Sequence, residues 1–138
     1  MTSLTLKAQE RFAHDRYATE VTGIRIEAAE EGYARCSLTL TPLHRNAMGA
    51  VMGGVLFTLA DLAFAIAANS HCLADEKPLQ WVSLNSDIQY LRQTRGGTLV
   101  AETHCVKQGS STCVYSISIH DEHNKPIALV TTTGIHLN

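Results

Sequence analysis

Polar and apolar positions alternate with different periods along the chain, and the period names each element. From about Leu4 to Tyr17, Leu6, Phe12 and Ala13 can pack while Lys7, Glu10, Arg11 and Asp15 stay in water. That spacing predicts a short helix bracing a sheet edge. Gly23 then opens a run in which Ile24 and Ile26 alternate with Arg25 and Glu27, a half-buried strand. Glu30-Glu31-Gly32 is a turn, and a second strand follows from Tyr33 to Leu40. There Ala34, Cys36, Leu38 and Leu40 share one face and Tyr33, Arg35, Ser37 and Thr39 the other, so the two strands should form a hairpin.

The period changes again at Gly53-Gly54. From Val55 to Ala68 only Thr58 and Asp61 are not apolar, which predicts a helix that is hydrophobic nearly all round and buried beneath other elements. Paired glycines let the backbone turn tightly or be closely approached. The first-turn N–H groups of the helix lack intrahelical partners and carry the positive end of its dipole, so they can hold an anion or polarise a carbonyl oxygen. Asp61 is a carboxylate in an apolar helix and must be hydrogen-bonded, solvated by a pocket or kept partly neutral. It reads either as chemistry or as a structural acid at a helix-sheet margin or subunit seam, bonded to Thr58 or to backbone.

Asp75-Glu76-Lys77-Pro78 breaks the chain, and four strand-like runs follow at about Leu79–Leu91, Thr98–Lys107, Thr112–His120 and Ile127–His136. Turn residues separate them at Arg95-Gly96-Gly97, Gln108–Ser111 and Asp121–Asn124, and links this short predict antiparallel neighbours. No repeat or linker divides residues 1–138, so the reading is a single α+β domain in which about six antiparallel strands curl round one helix.

Composition narrows the partners. Eleven Lys plus Arg against 13 Asp plus Glu leave a formal charge of -2, with no electrostatic footprint for nucleic acid or an anionic membrane. Small molecules and further copies of the chain remain. Cys36, Cys72, Cys105 and Cys113 form no C-x-x-C pair, and the seven histidines show no metal spacing, so the cysteines read as reduced strand or core residues. The first residues lack the apolar core of a signal peptide and the longest apolar run is interrupted by Asp61, which suits a soluble, cytoplasmic protein.

His44, Asn46, Gly49, Met52, Gly53, Gly54 and Asp61 together resemble the hot-dog-fold thioesterases of the phenylacetate-pathway, PaaI-like branch. The motif of that family reads H-x-N-x-x-G-x-x-H-G-G, then six residues and an Asp. Every spacing agrees, Ser83–Arg92 resembles the family's third strand, and the element order matches over essentially the whole chain. The resemblance implies a hot-dog fold, a long helix wrapped by a curved antiparallel sheet, and hydrolysis of an acyl thioester such as acyl-CoA, with no metal or redox cofactor. Asp61 takes the place of the catalytic general base or nucleophile. The Gly53 N–H, with that of Gly54, takes the place of the oxyanion donor. Asn46 would orient the water or the carboxylate, and Ser83 falls where some relatives place a hydroxyl. Lys107, Gly109 and Ser110 fall at a turn where relatives meet the nucleotide of CoA, and Arg92 or Arg95 could meet phosphates. His44 would tie down the loop.

Eight helical residues put Asp61 roughly 12 Å along the axis from Gly53, so one helix cannot bring both groups to one carbonyl. In the family, paired subunits supply the two halves, which implies a homodimer with shared sites, or two such dimers joined as a homotetramer. Met52 stands where the family has histidine, replacing a hydrogen-bond donor by a thioether that can widen an apolar acyl pocket. That departure leaves two alternatives beside the thioesterase, namely a hot-dog protein that binds acyl-CoA without turnover and a dehydratase or hydratase, which would want a His paired with the helix carboxylate.

Overall fold

The computed structural model describes residues 1–138. Its six strands, β1 (Arg25–Glu30), β2 (Tyr33–Thr39), β3 (Trp81–Tyr90), β4 (Thr98–Gln108), β5 (Thr112–Asp121) and β6 (Pro126–His136), form one antiparallel sheet in the order β1-β2-β4-β5-β6-β3. The sheet curls round helix α2 (Gly53–Ala68), as the sequence predicts. The β1-β2 hairpin is present, but a bulge at Glu27 shifts its alternation, so Ile26 and Ala29 both point inward.

One expected pairing is wrong. β3 and β4 are joined by a short link yet are not neighbours: β3 lies beside β6 at the sheet's end, and β4 is inserted between β2 and β5. The link, residues 91–97, is strapped across the glycine loop instead of turning back on itself. Thr94 O accepts from Val51 N at 2.8 Å, and Arg95 O accepts from Arg45 Nε at 3.0 Å. Gly97 O accepts from Leu40 N at 2.9 Å.

The predicted N-terminal helix divides into α1 (Ser3–Phe12) and a π-helical turn, Tyr17–Thr22, that ends at Gly23 with φ +89°. α1 closes on tighter bonds, His14 N to Arg11 O at 3.3 Å and Asp15 N to Phe12 O at 3.0 Å, and the chain turns helical again where Asp15 O accepts from both the N–H and the hydroxyl of Thr19, at 3.0 and 3.1 Å. The wide turn carries Ala18 and Thr22 into the core and leaves Arg16, Tyr17, Glu20 and Val21 outside. α1 seals the free edge of β1, as a brace should. Thr5 Oγ1 accepts from Ala29 N at 3.0 Å, and Gln9 Nε2 donates to Ile26 O at 2.9 Å. No helix is long and apolar enough to cross a membrane.

α2 is less enclosed than its composition predicts. Leu56, Leu59, Ala60, Leu62, Ala63, Phe64, Ile66, Ala67 and Ala68 are buried, while Gly54, Phe57, Thr58, Asp61 and Ala65 form an open or half-open stripe at helical spacing. Phe64 docks edge-on against Tyr115, ring centres 5.7 Å apart, and reaches β6 only because residue 134 is glycine. A Cβ there would lie 2.8 Å from Phe64 Cζ and 2.7 Å from Cys113 Sγ. At the helix's end the side chain of Asn69 is fully used: Oδ1 accepts from Gln80 N and Trp81 N, at 3.0 and 2.9 Å, and Nδ2 donates to Ala65 O and Trp81 O, at 2.8 and 3.0 Å. This clamp fixes where β3 begins relative to α2.

Cys36, Cys72 and Cys113 are buried free thiols, and Cys105 is exposed. The hydroxyl of Thr103 on β4 is the one buried side-chain polar atom without a partner. An unsatisfied hydroxyl in an apolar core costs free energy, so Thr103→Val is expected to raise stability by about 1 kcal/mol in denaturant unfolding.

Candidate active site

The glycine loop is built by its own side chains. Asn46 Oδ1 accepts from Met48 N at 2.9 Å and Ala50 N at 3.1 Å, Gly49 N donates to Asn46 O at 2.9 Å, and Gly49 takes φ +84°. Arg95 Nη1 donates to Met48 O at 2.9 Å and sits so close that a Cβ at Gly49 would meet it at 2.6 Å. His44 ties the loop down, as expected: Nδ1 accepts from Thr41 N at 3.0 Å, and Nε2, 2.7 Å from Thr22 O, must carry the proton because a carbonyl only accepts. His44 O in turn accepts from Met52 N at 2.8 Å.

Met52 caps α2 without a side-chain hydrogen bond, and the N–H groups of Gly53 and Gly54 have no partner in the chain. Gly53 lines a cavity of about 480 Å³ with Asn46, Val51, Tyr90 and Arg92. Sequence reasoning missed Tyr90 as a partner of the glycine turn. A Cβ at residue 53 would lie 2.8 Å from its hydroxyl oxygen, so glycine is required for that approach as well as for the turn. Nothing local signals a contact between residues so far apart in the chain.

Asp61 lines a second cavity, of about 620 Å³, with Asp15, Tyr17, Phe57, Thr58 and Ser83. Ser83 therefore lines the same cavity as Asp61. The bonds expected of a structural Asp61 are absent: its carboxylate makes no hydrogen bond within the chain, and Thr58 Oγ1 donates to Gly54 O at 2.9 Å instead. Behind Asp61 a recess of about 240 Å³ continues between Phe12, Phe64, Leu79, Trp81 and Val82. The cavity opens to solvent, so Asp61 as a residue is exposed, yet enough protein surrounds the carboxylate for desolvation to push its pKa above the ordinary 3.8. The charge of Asp15 adds to that rise.

Asp15 was expected to be a solvated helix residue. It is exposed but lines both the cavity and the recess of Asp61, and desolvation raises its own pKa. In such a pair the acid that ionises first meets a neutral neighbour, and the second ionises against a charge.

Within one chain the glycine turn and Asp61 belong to different cavities at opposite ends of β3: Ser83 near its start accompanies Asp61, and Tyr90 at its end accompanies Gly53. Lys107, Gly109 and Ser110 line neither cavity. Their turn adjoins the start of β3, since Ser111 O accepts from His136 N and His136 pairs with Trp81. Met52 is 54% exposed and also lines neither.

The model of the thioesterase superfamily matches residues 48–128, more than half of the chain and including both the glycine turn and Asp61. The chain belongs to the thioesterase superfamily. The acyl-coenzyme A thioesterase PaaI of Escherichia coli is 37% identical over 122 residues, 85% of this chain and 83% of that protein. Human acyl-coenzyme A thioesterase 13 is 28% identical over 141 residues, 99% of this chain and 96% of its own. The solved structure of E. coli PaaI superposes with a TM-score of 0.81 at 33% identity, covering 99% of this chain and 97% of that one, and the fold is the hot-dog fold.

Both carboxylates of the cavity hold their protons more tightly in the folded chain than in the unfolded one. Their contribution to stability is therefore full below the ordinary carboxylate value and is lost as pH rises through the raised folded value. Asp61→Asn, which removes the ionisation, is expected to raise Tm at neutral pH, and the gain should vanish when melting is repeated below pH 3.8.

Proposed function

We propose that this thioester hydrolase is an acyl-CoA thioesterase whose two half-sites are completed across a homodimer. The observation that carries the reading is the separation on one rigid helix of two unpartnered N–H groups, at Gly53 and Gly54, from the unbonded carboxylate of Asp61. β3 supplies the means of joining them. It is an edge strand paired only with β6, and Val82, Leu84 and Tyr90 along it are exposed. Two copies of β3 paired antiparallel about a two-fold axis set the start of one against the end of the other. Asp61 and Ser83 of one subunit then face Gly53 and Tyr90 of its partner. The same pairing brings the turn of Lys107, Gly109 and Ser110 towards the partner's glycine loop, where those residues can meet the nucleotide end of CoA.

In the assembled site the acyl group enters the recess behind Asp61, and the thioester oxygen accepts from the partner's Gly53 N–H at the positive end of α2. Asp61 takes a proton from water as its oxygen bonds to the carbonyl carbon. Collapse of the tetrahedral intermediate breaks the C–S bond, and the proton returns to the thiolate, giving a carboxylic acid and free CoA. Direct attack by Asp61, followed by hydrolysis of the anhydride, uses the same geometry. Asn46 has its Oδ1 committed to the loop, so it acts by holding the glycine turn and through its free Nδ2.

A protein that binds acyl-CoA without turnover is the second reading, and Met52 favours it, because a thioether replaces a donor beside the oxyanion site. Met52→His is expected to raise kcat by roughly tenfold, within what one added donor can supply; an unchanged kcat shows that a donor at this position does not serve the oxyanion. A dehydratase is not favoured, since no histidine lines any of the three cavities.

Thiol release from acyl-CoAs tests the main reading. Asp61→Asn and Gly53→Val are each expected to lose activity by about 10² or more. A mixed dimer of the two restores one intact site. Recovery of turnover on mixing is the expected result, and absence of recovery between variants shown to exchange subunits sinks the shared site.

A further inference from the structure

The acid pair in the Asp61 cavity has a role that hydrolysis by a single aspartate does not use. We propose that Asp15 is a tuning residue of the hydrolytic site, its carboxylate sharing the walled space of Asp61 so that its negative charge makes Asp61 the stronger base. The inference rests on the thioesterase reading of Asp61 and deepens it.

Three features of the geometry carry it. Asp15 and Asp61 line the same main cavity and the same apolar recess, although they come from segments 46 residues apart in sequence. The Asp15 backbone is anchored, its N–H on Phe12 O at 3.0 Å and its carbonyl on Thr19, while its carboxylate has no partner of its own. The positive charge that could neutralise the pair is turned elsewhere: Arg16 lines the cavity, but its Nε donates to Glu20 Oε2 and its Nη2 to Glu20 Oε1.

The remaining groups facing Asp61 do not replace Asp15. The turn between α1 and the π-helix contributes Asp15, Arg16 and the phenol of Tyr17. β3 contributes Ser83, Leu84, Asn85 and Ser86, none of them charged, and α2 itself only Phe57, Thr58 and Leu62. The recess adds Phe12, Asn69 and Trp81. Within one chain, Asp15 is the one uncompensated charge beside Asp61 in that surround. A general base works best with a pKa near the working pH, and a like charge beside a carboxylate moves it in that direction.

The direction of every effect follows from this. Asp15→Asn removes the charge and keeps the shape, so Asp61 ionises at lower pH and becomes a weaker base. In the intact dimer, the acid limb of kcat/KM against pH is expected to move to lower pH. The neutral plateau should fall by less than about tenfold, the scale of a Brønsted effect. Asp15→Glu should retain the parent limb. A readout independent of turnover is the carbon-13 titration of the Asp61 carboxylate in aspartate-labelled protein, its resonance assigned by its loss in Asp61→Asn. Its midpoint is expected to fall in Asp15→Asn. An unmoved midpoint and an unmoved acid limb in a folded Asp15→Asn protein would overturn the proposal. If Asp61→Asn hydrolyses thioesters as well as the parent, the thioesterase mechanism fails, while the titration still decides whether Asp15 governs Asp61.

Discussion

The structure depends on one constraint, that a single apolar helix must be wrapped by a sheet and still be left open along one stripe. α2 buries most of its circumference, and small residues such as Ala60, Ala63, Ala67 and Gly134 let strands come close. The uncovered stripe runs through Gly54, Phe57, Thr58, Asp61 and Ala65. A helix is rigid, so the polar groups at its N-terminus and the carboxylate two turns on cannot move towards each other. Their separation is built in, and the rest of the chain positions each half independently. The loop of His44, Asn46 and Arg95 holds the first, and the clamp of Asn69 on Trp81 sets the strand beside the second.

Much of this was legible from residue type and order. Period alone gave the hairpin, the apolar helix and the last three strands to within a residue or two, because each buries one face locally. Helical rise alone keeps Gly53 and Asp61 from one carbonyl, and the structure gives them different cavities. What escaped depends on partners far along the chain. β3 runs beside β6 and not β4, since the segment between β3 and β4 finds its hydrogen bonds on the glycine loop. No periodicity reports that. Asp15 reads as a solvated helix residue because its place in the cavity of Asp61 comes from the turn after Phe12, which no periodicity reports. Tyr90 sits in a recognisable strand, but its approach to Gly53 is a tertiary fact.

The site also sets stability against chemistry. A carboxylate desolvated enough to become a useful base is one that the folded state would rather keep protonated, and two of them in one space intensify the conflict. Thr58 does nothing to relieve it, spending its hydroxyl on Gly54 O. The unbonded state of Asp61 leaves it free for the water or substrate of the proposed reaction, and the surrounding apolar core supplies the free energy that tolerates it.

The two edges of the sheet are treated differently, and the difference limits how copies can assemble. β1 is closed by Thr5 and Gln9 of α1, whose side chains occupy the outward backbone groups at Ala29 and Ile26. β3, at the other end of the sheet, has a side-chain cap at its first residue, where Asn69 bonds Trp81 N and O. A sheet with two open edges can add strands end over end into a fibre; a sheet with one can join a single copy and is then finished. If copies pair through β3 as proposed, the brace at the N-terminus leaves no second edge open, and an α1 that peeled away would expose β1 to further strands.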